Sequence, residues 1–179
     1  MTISQGSNTM SFALSTVEHA GKVLGCIEIN DRFHPLESVA AETGLPRDVV
    51  ALFAQWDKHF PVLQKAAAQC DPAAGLARGE VKVLAPLLYP GKVLCAGANY
   101  YDHLAEMGVP DLRKEAQRLF FFFKPPRNAV VGHESTVEYP LGTEMFDWEI
   151  ELAVVIGKRS RRLTLDNALD AEIGRASCR

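Results

Sequence analysis

The stretch that decides how this chain is interpreted is Asp147-Trp148-Glu149-Ile150-Glu151-Leu152-Ala153-Val154-Val155-Ile156-Gly157. Acidic and apolar residues alternate in its first half and a β-branched run follows, which predicts a β-strand. Successive side chains of a strand point to opposite faces, so Asp147, Glu149 and Glu151 share one face. The opposite face is predicted to enter a hydrophobic core and consists of Trp148, Ile150, Leu152, Val154 and Ile156.

The row of acids allows two interpretations. Carboxylates on one strand face repel one another, and burial would raise their pKa values unless a cation intervened. Mg²⁺ is commonly bound by one or two protein carboxylates together with water and substrate oxygens. The row therefore indicates either a divalent-metal site or a solvated acidic strand face.

Composition limits the class of protein. The 179 residues are 47% hydrophobic and 23% charged, with a formal net charge of −3, which predicts a globular chain with no general attraction to nucleic acid or anionic membranes. No apolar run of about 18 residues suggests a membrane span, and the first ten residues do not resemble a secretion signal. The cysteines are far apart, as expected for reduced thiols, and they are Cys26, Cys70, Cys95 and Cys178. A cytoplasmic location is predicted.

Residues 1–78 are predicted to form a small N-terminal α+β domain that ends in a linker. The first nine residues are polar and predicted to be disordered. Residues 23–29 and 33–36 resemble two strands joined by a turn at Asn30-Asp31, which predicts a β-hairpin. His34 is expected on the surface of that hairpin.

Helices are predicted to follow the hairpin. A helix is expected to open over residues 45–48, and its apolar residues recur at helical spacing until Pro61 breaks or kinks it. A second short helix is expected over 62–69. Residues 73–79 are small and predict the linker.

Residues 79–171 are predicted to be the N-terminal part of a second, catalytic domain. Its strands are expected over 93–97 and 119–123, both buried by composition, with further short strands over 128–140. A helix capped by Asn99 and ended by Gly108 should separate the first two strands. A charged helical lid or loop is expected over 111–117.

Three segments in a fixed order resemble a known family. They are residues 97–106 (GANYYDHLAE), Phe123-Lys124-Pro125, and residues 147–158 (DWEIELAVVIGK). Together they resemble the fumarylacetoacetate hydrolase family, in particular its bacterial acylpyruvate-hydrolase-like members, over about residues 81–171. The resemblance implies an α+β protein in which the small N-terminal hairpin and helix domain precedes a mixed β, barrel-like catalytic domain, here truncated. It also implies a homodimer when the protein is complete.

The resemblance assigns roles to five residues. Glu149 and Glu151 are implied to bind Mg²⁺ or Mn²⁺, whereas Asp147 lies outside the pair that the family uses. His103 is implied to activate water as a general base held by Glu106, since the two lie three residues apart on one helix face. Lys124 is implied to pair with a substrate carboxylate. The catalytic set is therefore His103, Glu106 and Lys124.

The implied reaction is hydrolysis of a C–C bond in an acylpyruvate or β-diketo acid. Water attacks the distant carbonyl, and the bond breaks to leave a metal-bound enolate. Isomerisation or decarboxylation of 2-oxo dioates on the same scaffold stays open, and so does a non-catalytic binding or assembly module. Individually, the His103–Glu106 pair also fits a helix-surface ion pair, and Lys124 fits a solvated strand end. The expected partner is a small 2-oxo acid, with neither nucleic acid nor membrane.

The end of the sequence departs from the family. The aspartate that completes the family's metal site on a later strand has no counterpart, and the later pocket lysine is also missing. Residues 172–179 (EIGRASCR) resemble the translation of a common sequencing adapter and are predicted to be a non-native tail. The chain is therefore predicted to be a C-terminally truncated fragment, inactive by itself and only marginally folded.

Overall fold

The computed structural model describes residues 2–3, 11–110, 113, 118, 120–127 and 129–178, with only the backbone of residues 2, 3 and 178. The described residues confirm the α+β class, with antiparallel strands and short helices. The chain divides into two compact units. The first consists of Met1–Leu88 together with Val131–Arg179, and the second is Tyr89–Val130. The predicted boundaries after residues 78 and 171 remain predictions. Most of residues 1–9 and 111–117, predicted to be disordered and a lid, lie outside the described residues.

The first unit is built around an antiparallel sheet. Its strands are β1 (Thr2–Ile3), β2 (Phe12–His19), β3 (Lys22–Ile29), β4 (Arg32–Pro35), β5 (Leu76–Ala77), β6 (Lys82–Val83), β9 (Glu151–Ile156) and β10 (Glu172–Cys178). They are ordered β5-β4-β3-β2-β1-β10-β9, and β6 also pairs with β2. Short 3-10 helices cover Arg78–Glu80 and Ala168–Ala171.

The predicted hairpin is formed by β3 and β4. Asn30 and Asp31 connect these strands with φ angles of 50° and 57°. Two left-handed residues in succession are typical of a type I′ turn, whose twist matches that of the paired strands, and asparagine and aspartate tolerate this conformation well. The turn residues therefore fix the register, in which Ile29 lies opposite Arg32.

Three helices cover one face of the sheet: α1 (Leu36–Thr43), α2 (Val49–Phe53) and α3 (Trp56–Gln69). The Asp48 side chain caps α2 by accepting a hydrogen bond of 2.8 Å from the backbone N–H of Ala51. The predicted break at Pro61 and the separate helix over 62–69 are wrong, because α3 runs through Pro61 to Gln69 and the interruption falls earlier, at Ala54-Gln55. The sequence pattern also missed α1.

Sheet and helices share one hydrophobic core. Its fully buried members include Leu14, Ile27, Leu36, Leu52 and Leu63. Burying side chains of this kind contributes about 1.5–3 kcal/mol each to folding. The core therefore forms largely from residues 12–70.

His34 is buried, with 8% of its surface exposed, so its predicted surface position is wrong. The reason is that the predicted linker adds strand β5 beside β4, with Leu76 opposite Phe33. Gly75 then lies directly against the His34 ring. Burial lowers the pKa of His34, while the charge of Asp71 acts in the opposite direction.

Strand β9 differs from its prediction in its length and in which of its two faces is turned toward the core. Its ladder begins at Glu151, opposite Cys178, and the preceding residues 147–150 join no strand of the described chain. The burial alternates as expected, but Val155 is the side chain that packs on the core. The predicted core face is largely exposed to solvent, as measured at Trp148 (70%), Ile150 (68%), Leu152 (58%), Val154 (51%) and Ile156 (57%).

The second unit contains β7 (Val93–Gly97), α4 (Tyr101–Glu106) and β8 (Phe120–Lys124), with β7 and β8 antiparallel. The phenylalanines of β8 were predicted to be buried, and this is wrong: Phe123 is 71% exposed. Two strands and one short helix do not cover both faces of a phenylalanine run. Strands predicted over 128–140 are absent from the described residues 129–140.

No helix of the described chain is long and apolar enough to cross a bilayer.

Candidate functional site

Helix α4 carries the predicted base and follows directly on β7. Its first turn is closed by a hydrogen bond of 3.1 Å from the N–H of Leu104 to the carbonyl of Tyr100, and no side chain caps it, contrary to the role predicted for Asn99. Leu104 is the fully buried residue of this helix. Gly108 follows with φ of 76°, the left-handed conformation in which helices commonly end, as the sequence predicts.

His103 and Glu106 lie on one face of α4. Nδ1 of His103 is 3.3 Å from Oε2 of Glu106, and the two side chains are 43% and 78% exposed. An exposed pair of this kind contributes little to stability. It favours one orientation of the ring, because a carboxylate beside Nδ1 favours the tautomer with its proton on that nitrogen. The arrangement suits a base that must be reached by a small molecule.

Lys124 is the last residue of β8 and lies opposite Val93, the first residue of β7. The helix that carries His103 leaves from the other end of this strand pair, where Gly97 lies opposite Phe120. The two ends are four residue steps of strand apart, or about 13 Å. The register therefore places Lys124 and the start of α4 at opposite ends of the strand pair.

Arg127 is a second cation near Lys124, and the sequence interpretation missed it. Its guanidinium carbon lies 4.8 Å from the centroid of the Tyr89 ring, a cation–π contact between the segments that flank β7 and β8. Tyr89 has a φ of 57°, unusual for a residue other than glycine. The only sequence signal was an arginine three residues after Lys124, beyond two prolines. Two cations, Lys124 at the end of β8 and Arg127 just after it, thus belong to the same end of this strand.

The predicted metal ligands belong to the first unit. Glu149 is exposed and precedes β9, whereas Glu151 is half-buried and is the first residue of that strand. Asp147 accepts a hydrogen bond of 2.8 Å from the backbone N–H of Trp148. The shared strand face predicted for all three acids is therefore absent, because only Glu151 has a ladder partner.

The donor set still fits a hard divalent ion. Two carboxylates separated by one residue supply oxygen ligands of the type and number that Mg²⁺ commonly takes from a protein. Within the described part of the chain, no three His, Cys, Asp or Glu side chains come together as a larger metal-binding group. Within the described chain, the further ligands of an ion held by Glu149 and Glu151 would come from water or substrate.

Two surface cavities of the first unit involve none of these residues. One, of about 430 Å³, lies beside α3 and is lined by Trp56, Lys158 and Glu172, among others. A smaller one of about 220 Å³ lies beside β6 and is lined by Arg78, Lys82 and His133, among others. The predicted site residues therefore do not form either cavity.

Comparison with known proteins links the chain to one family. Residues 92–175 match the family model described as fumarylacetoacetate (FAA) hydrolase C-terminal. This range contains the strand pair, α4 and β9, and thus all five predicted site residues.

Curated relatives and a solved structure agree with this match. The mitochondrial oxaloacetate tautomerase FAHD2A of Bos taurus is 35% identical over 92% of this chain and 50% of its own length. The Homo sapiens protein of the same name is 35% identical over 73% of this chain and 39% of its own. The fumarylacetoacetate hydrolase EaFAH from psychrophilic Exiguobacterium antarcticum superimposes with a TM-score of 0.67 at 26% identity, covering 93% of this chain and 55% of that one. The chain spans half or less of the length of these curated relatives.

Proposed function

The chain belongs to the fumarylacetoacetate hydrolase family, and we propose that the complete protein is an acid–base enzyme that acts on 2-oxo acids. The observation that carries this proposal is the exposed pair of His103 and Glu106 on α4. A histidine is suited to this work because its ordinary pKa lies near neutrality, so it can both accept and return a proton.

The reaction that we propose first is keto–enol tautomerisation of a 2-oxo dicarboxylate. His103 takes a proton from the carbon next to the 2-oxo group through Nε2, which breaks the C–H bond. The imidazolium then gives this proton to the carbonyl oxygen, which forms the O–H bond and restores the base. The reaction needs one group that moves one proton, and the proteins of Bos taurus and Homo sapiens are named oxaloacetate tautomerases.

The carboxylates of the substrate need cationic partners. Lys124 provides a point charge at the end of β8, and Arg127 provides a planar guanidinium that Tyr89 holds from one side. A guanidinium can bind a carboxylate through two parallel hydrogen bonds. Both cations follow or end β8 on the side opposite the start of α4, so their role toward a substrate carboxylate is proposed for the complete protein and not for the arrangement of the described residues.

Glu149 and Glu151 would hold Mg²⁺ or Mn²⁺ in the complete protein. When bound, the ion would supply a Lewis acid that polarises the 2-oxo group and lowers the cost of removing the neighbouring proton. The half-buried position of Glu151 fits this role, because a partly buried carboxylate is stabilised by a nearby cation.

Hydrolysis of a C–C bond in acylpyruvates or β-diketo acids is the second candidate. It is supported by the likeness to a solved fumarylacetoacetate hydrolase. In this reaction His103 takes a proton from a water molecule, whose oxygen attacks the distant carbonyl, and Glu106 keeps the ring oriented. The C–C bond next to that carbonyl then breaks, and the imidazolium returns its proton to the carbon that leaves, which gives a carboxylic acid and a 2-oxo acid. A homodimer and a cytoplasmic location remain predictions for the complete protein.

The test is the substitution His103→Ala in the complete protein. Tautomerisation of oxaloacetate, followed by the absorbance of its enol form, should slow by about 10²–10⁴-fold, the usual contribution of general acid–base catalysis. His133→Ala is the matched control, because His133 is also exposed and also has a glutamate partner, Glu134, at 3.5 Å. Equal rates for the two variants would refute the role of His103. Acylpyruvate cleavage, measured on the same proteins, decides between the two reactions.

A further inference from the structure

The junction between β7 and α4 is closed by an aromatic ring. Gly97, the last residue of β7, lies directly opposite Phe120, the first residue of β8. A Cβ atom on Gly97 would overlap three atoms of the Phe120 ring, so the ring occupies the space above this glycine. An aromatic side chain that covers a glycine across an antiparallel pair is a known way of stabilising such a position.

The residue after Gly97 holds the turn in an unusual conformation. Ala98 has a φ of 54°, in the left-handed region that side chains with a Cβ atom seldom adopt. Such a conformation persists only where the surroundings determine it. The Phe120 ring, which occupies the space above the neighbouring Gly97, is a contact able to do so.

The junction also determines where His103 lies. Only residues 98–100 separate Gly97 from the start of α4 at Tyr101, and His103 is in the first turn of that helix. A shift of the turn would therefore carry the imidazole with it. Displacement of a catalytic group by about 1 Å can lower a rate by about 10²-fold.

We propose that Phe120 is a positioning residue for His103: its ring rests on Gly97 and fixes the turn from which α4 begins. The proposal rests on the proposed function for the catalytic role of His103. The fixing of the turn stands on the geometry of the junction and can be measured without a substrate.

The first experiment uses the complete protein and needs no activity. Hydrogen exchange of the Leu104 amide, which is bonded to the Tyr100 carbonyl, reports the order of the first turn of α4. Gly97→Ala should accelerate this exchange by about tenfold or more, because the new methyl group displaces the Phe120 ring. Gly91→Ala is the matched control in the same unit, since a Cβ atom there meets nothing within 4 Å.

The decisive comparison combines Gly97→Ala with Phe120→Ala in a double variant. Phe120→Ala should itself accelerate exchange at Leu104, and Gly97→Ala should then add little, because the ring that it would displace is gone. The proposal is overturned if Gly97→Ala behaves like Gly91→Ala. It is equally overturned if the effect of Gly97→Ala persists undiminished without the Phe120 ring.

The second experiment measures catalysis in the complete protein. Gly97→Ala and Phe120→Ala should each lower kcat by about tenfold or more with little change in KM, and their effects should not multiply, because both act on the same turn. Unchanged kcat in both variants of an active protein would overturn the positioning role. A wild-type protein that is inactive on 2-oxo acids would contradict the proposed function, and the exchange data would still decide the inference.

Discussion

Gly75 lies against His34 so closely that a Cβ atom on the glycine would be 3.1 Å from Cε1 of the imidazole. The same atom would be 2.9 Å from the carbonyl oxygen of Phe33. Gly75 also has a φ of 82°, a left-handed conformation. Both the backbone and the neighbouring atoms therefore require glycine where the chain turns to lay β5 beside β4.

Gly75→Ala should destabilise the fold more than Gly21→Ala. Gly21 has a similar φ of 75° but meets nothing within 4 Å, so its substitution measures the backbone strain alone, about 1–2 kcal/mol. The crowding at Gly75 should add about 1–3 kcal/mol, as overpacking usually does. Urea unfolding of both variants of the complete protein measures the difference. Equal losses would mean that the segment around Gly75 moves away without cost.

Stability should fall as the solution is acidified, through His34. Burial lowers its pKa below the ordinary 6.5, so the unfolded chain binds the proton more readily than the folded one. This contribution to stability is therefore fully present above pH 6.5 and is lost as the pH falls through the lower, folded-state value. Melting temperatures of the complete protein, with His34 and with His34→Gln, between pH 7.5 and pH 5, about a unit or more on either side of the ordinary value, test this. The variant should lose less than the wild type on acidification, and parallel losses would exclude His34 as the source.

Glu149→Gln should weaken Mg²⁺ binding in the complete protein more than Asp147→Asn. Each substitution removes one negative charge, so the pair separates ligation from general electrostatics. Asp147 already accepts the Trp148 N–H, whereas the resemblance assigns Glu149 as a ligand. A difference of about tenfold in Kd, or about 1.4 kcal/mol, is expected by calorimetric titration. An equal or larger loss in Asp147→Asn would overturn the ligand assignment.

The chain as it stands should associate and melt without a sharp transition. Apolar side chains are exposed along β8 and on one face of β9, for example Phe123 at 71% and Leu152 at 58%. Exposed apolar patches and open strand edges promote association. Light scattering during size-exclusion chromatography should show oligomers that Leu152→Lys reduces, while Thr164→Lys, at another exposed position, should not. A monodisperse monomer with a cooperative transition would contradict this prediction.

The sequence predicted correctly those turns and helix segments that depend on neighbouring residues alone. The Asn30-Asp31 turn fixed the hairpin, the helical spacing after Asp48 located the apolar face of α2 and α3, and Gly108 marked the end of α4. The His103–Glu106 pair was predictable for the same reason, because a spacing of three on a helix brings two side chains together.

Features that depend on distant partners were not predictable. The inward face of β9 was misjudged, because the direction in which Val155 packs depends on the core and not on the alternation itself. The burial of His34 depends on β5, which lies more than 40 residues later in the chain. The segment that contains β5 is rich in small residues, and such a composition does not predict strand pairing. The contact between Arg127 and Tyr89 joins two loops that sequence spacing does not relate.

The position of β10 between β1 and β9 has a practical consequence for anyone who re-engineers this chain. In the described sheet β9 joins the other strands through β10 alone, so the seven residues Glu172–Cys178 form a bridge. Ladder hydrogen bonds come from the backbone, which means that a substituted sequence with similar β propensity could keep the bridge intact. Deleting these residues would leave the strand that begins with Glu151 without a neighbour.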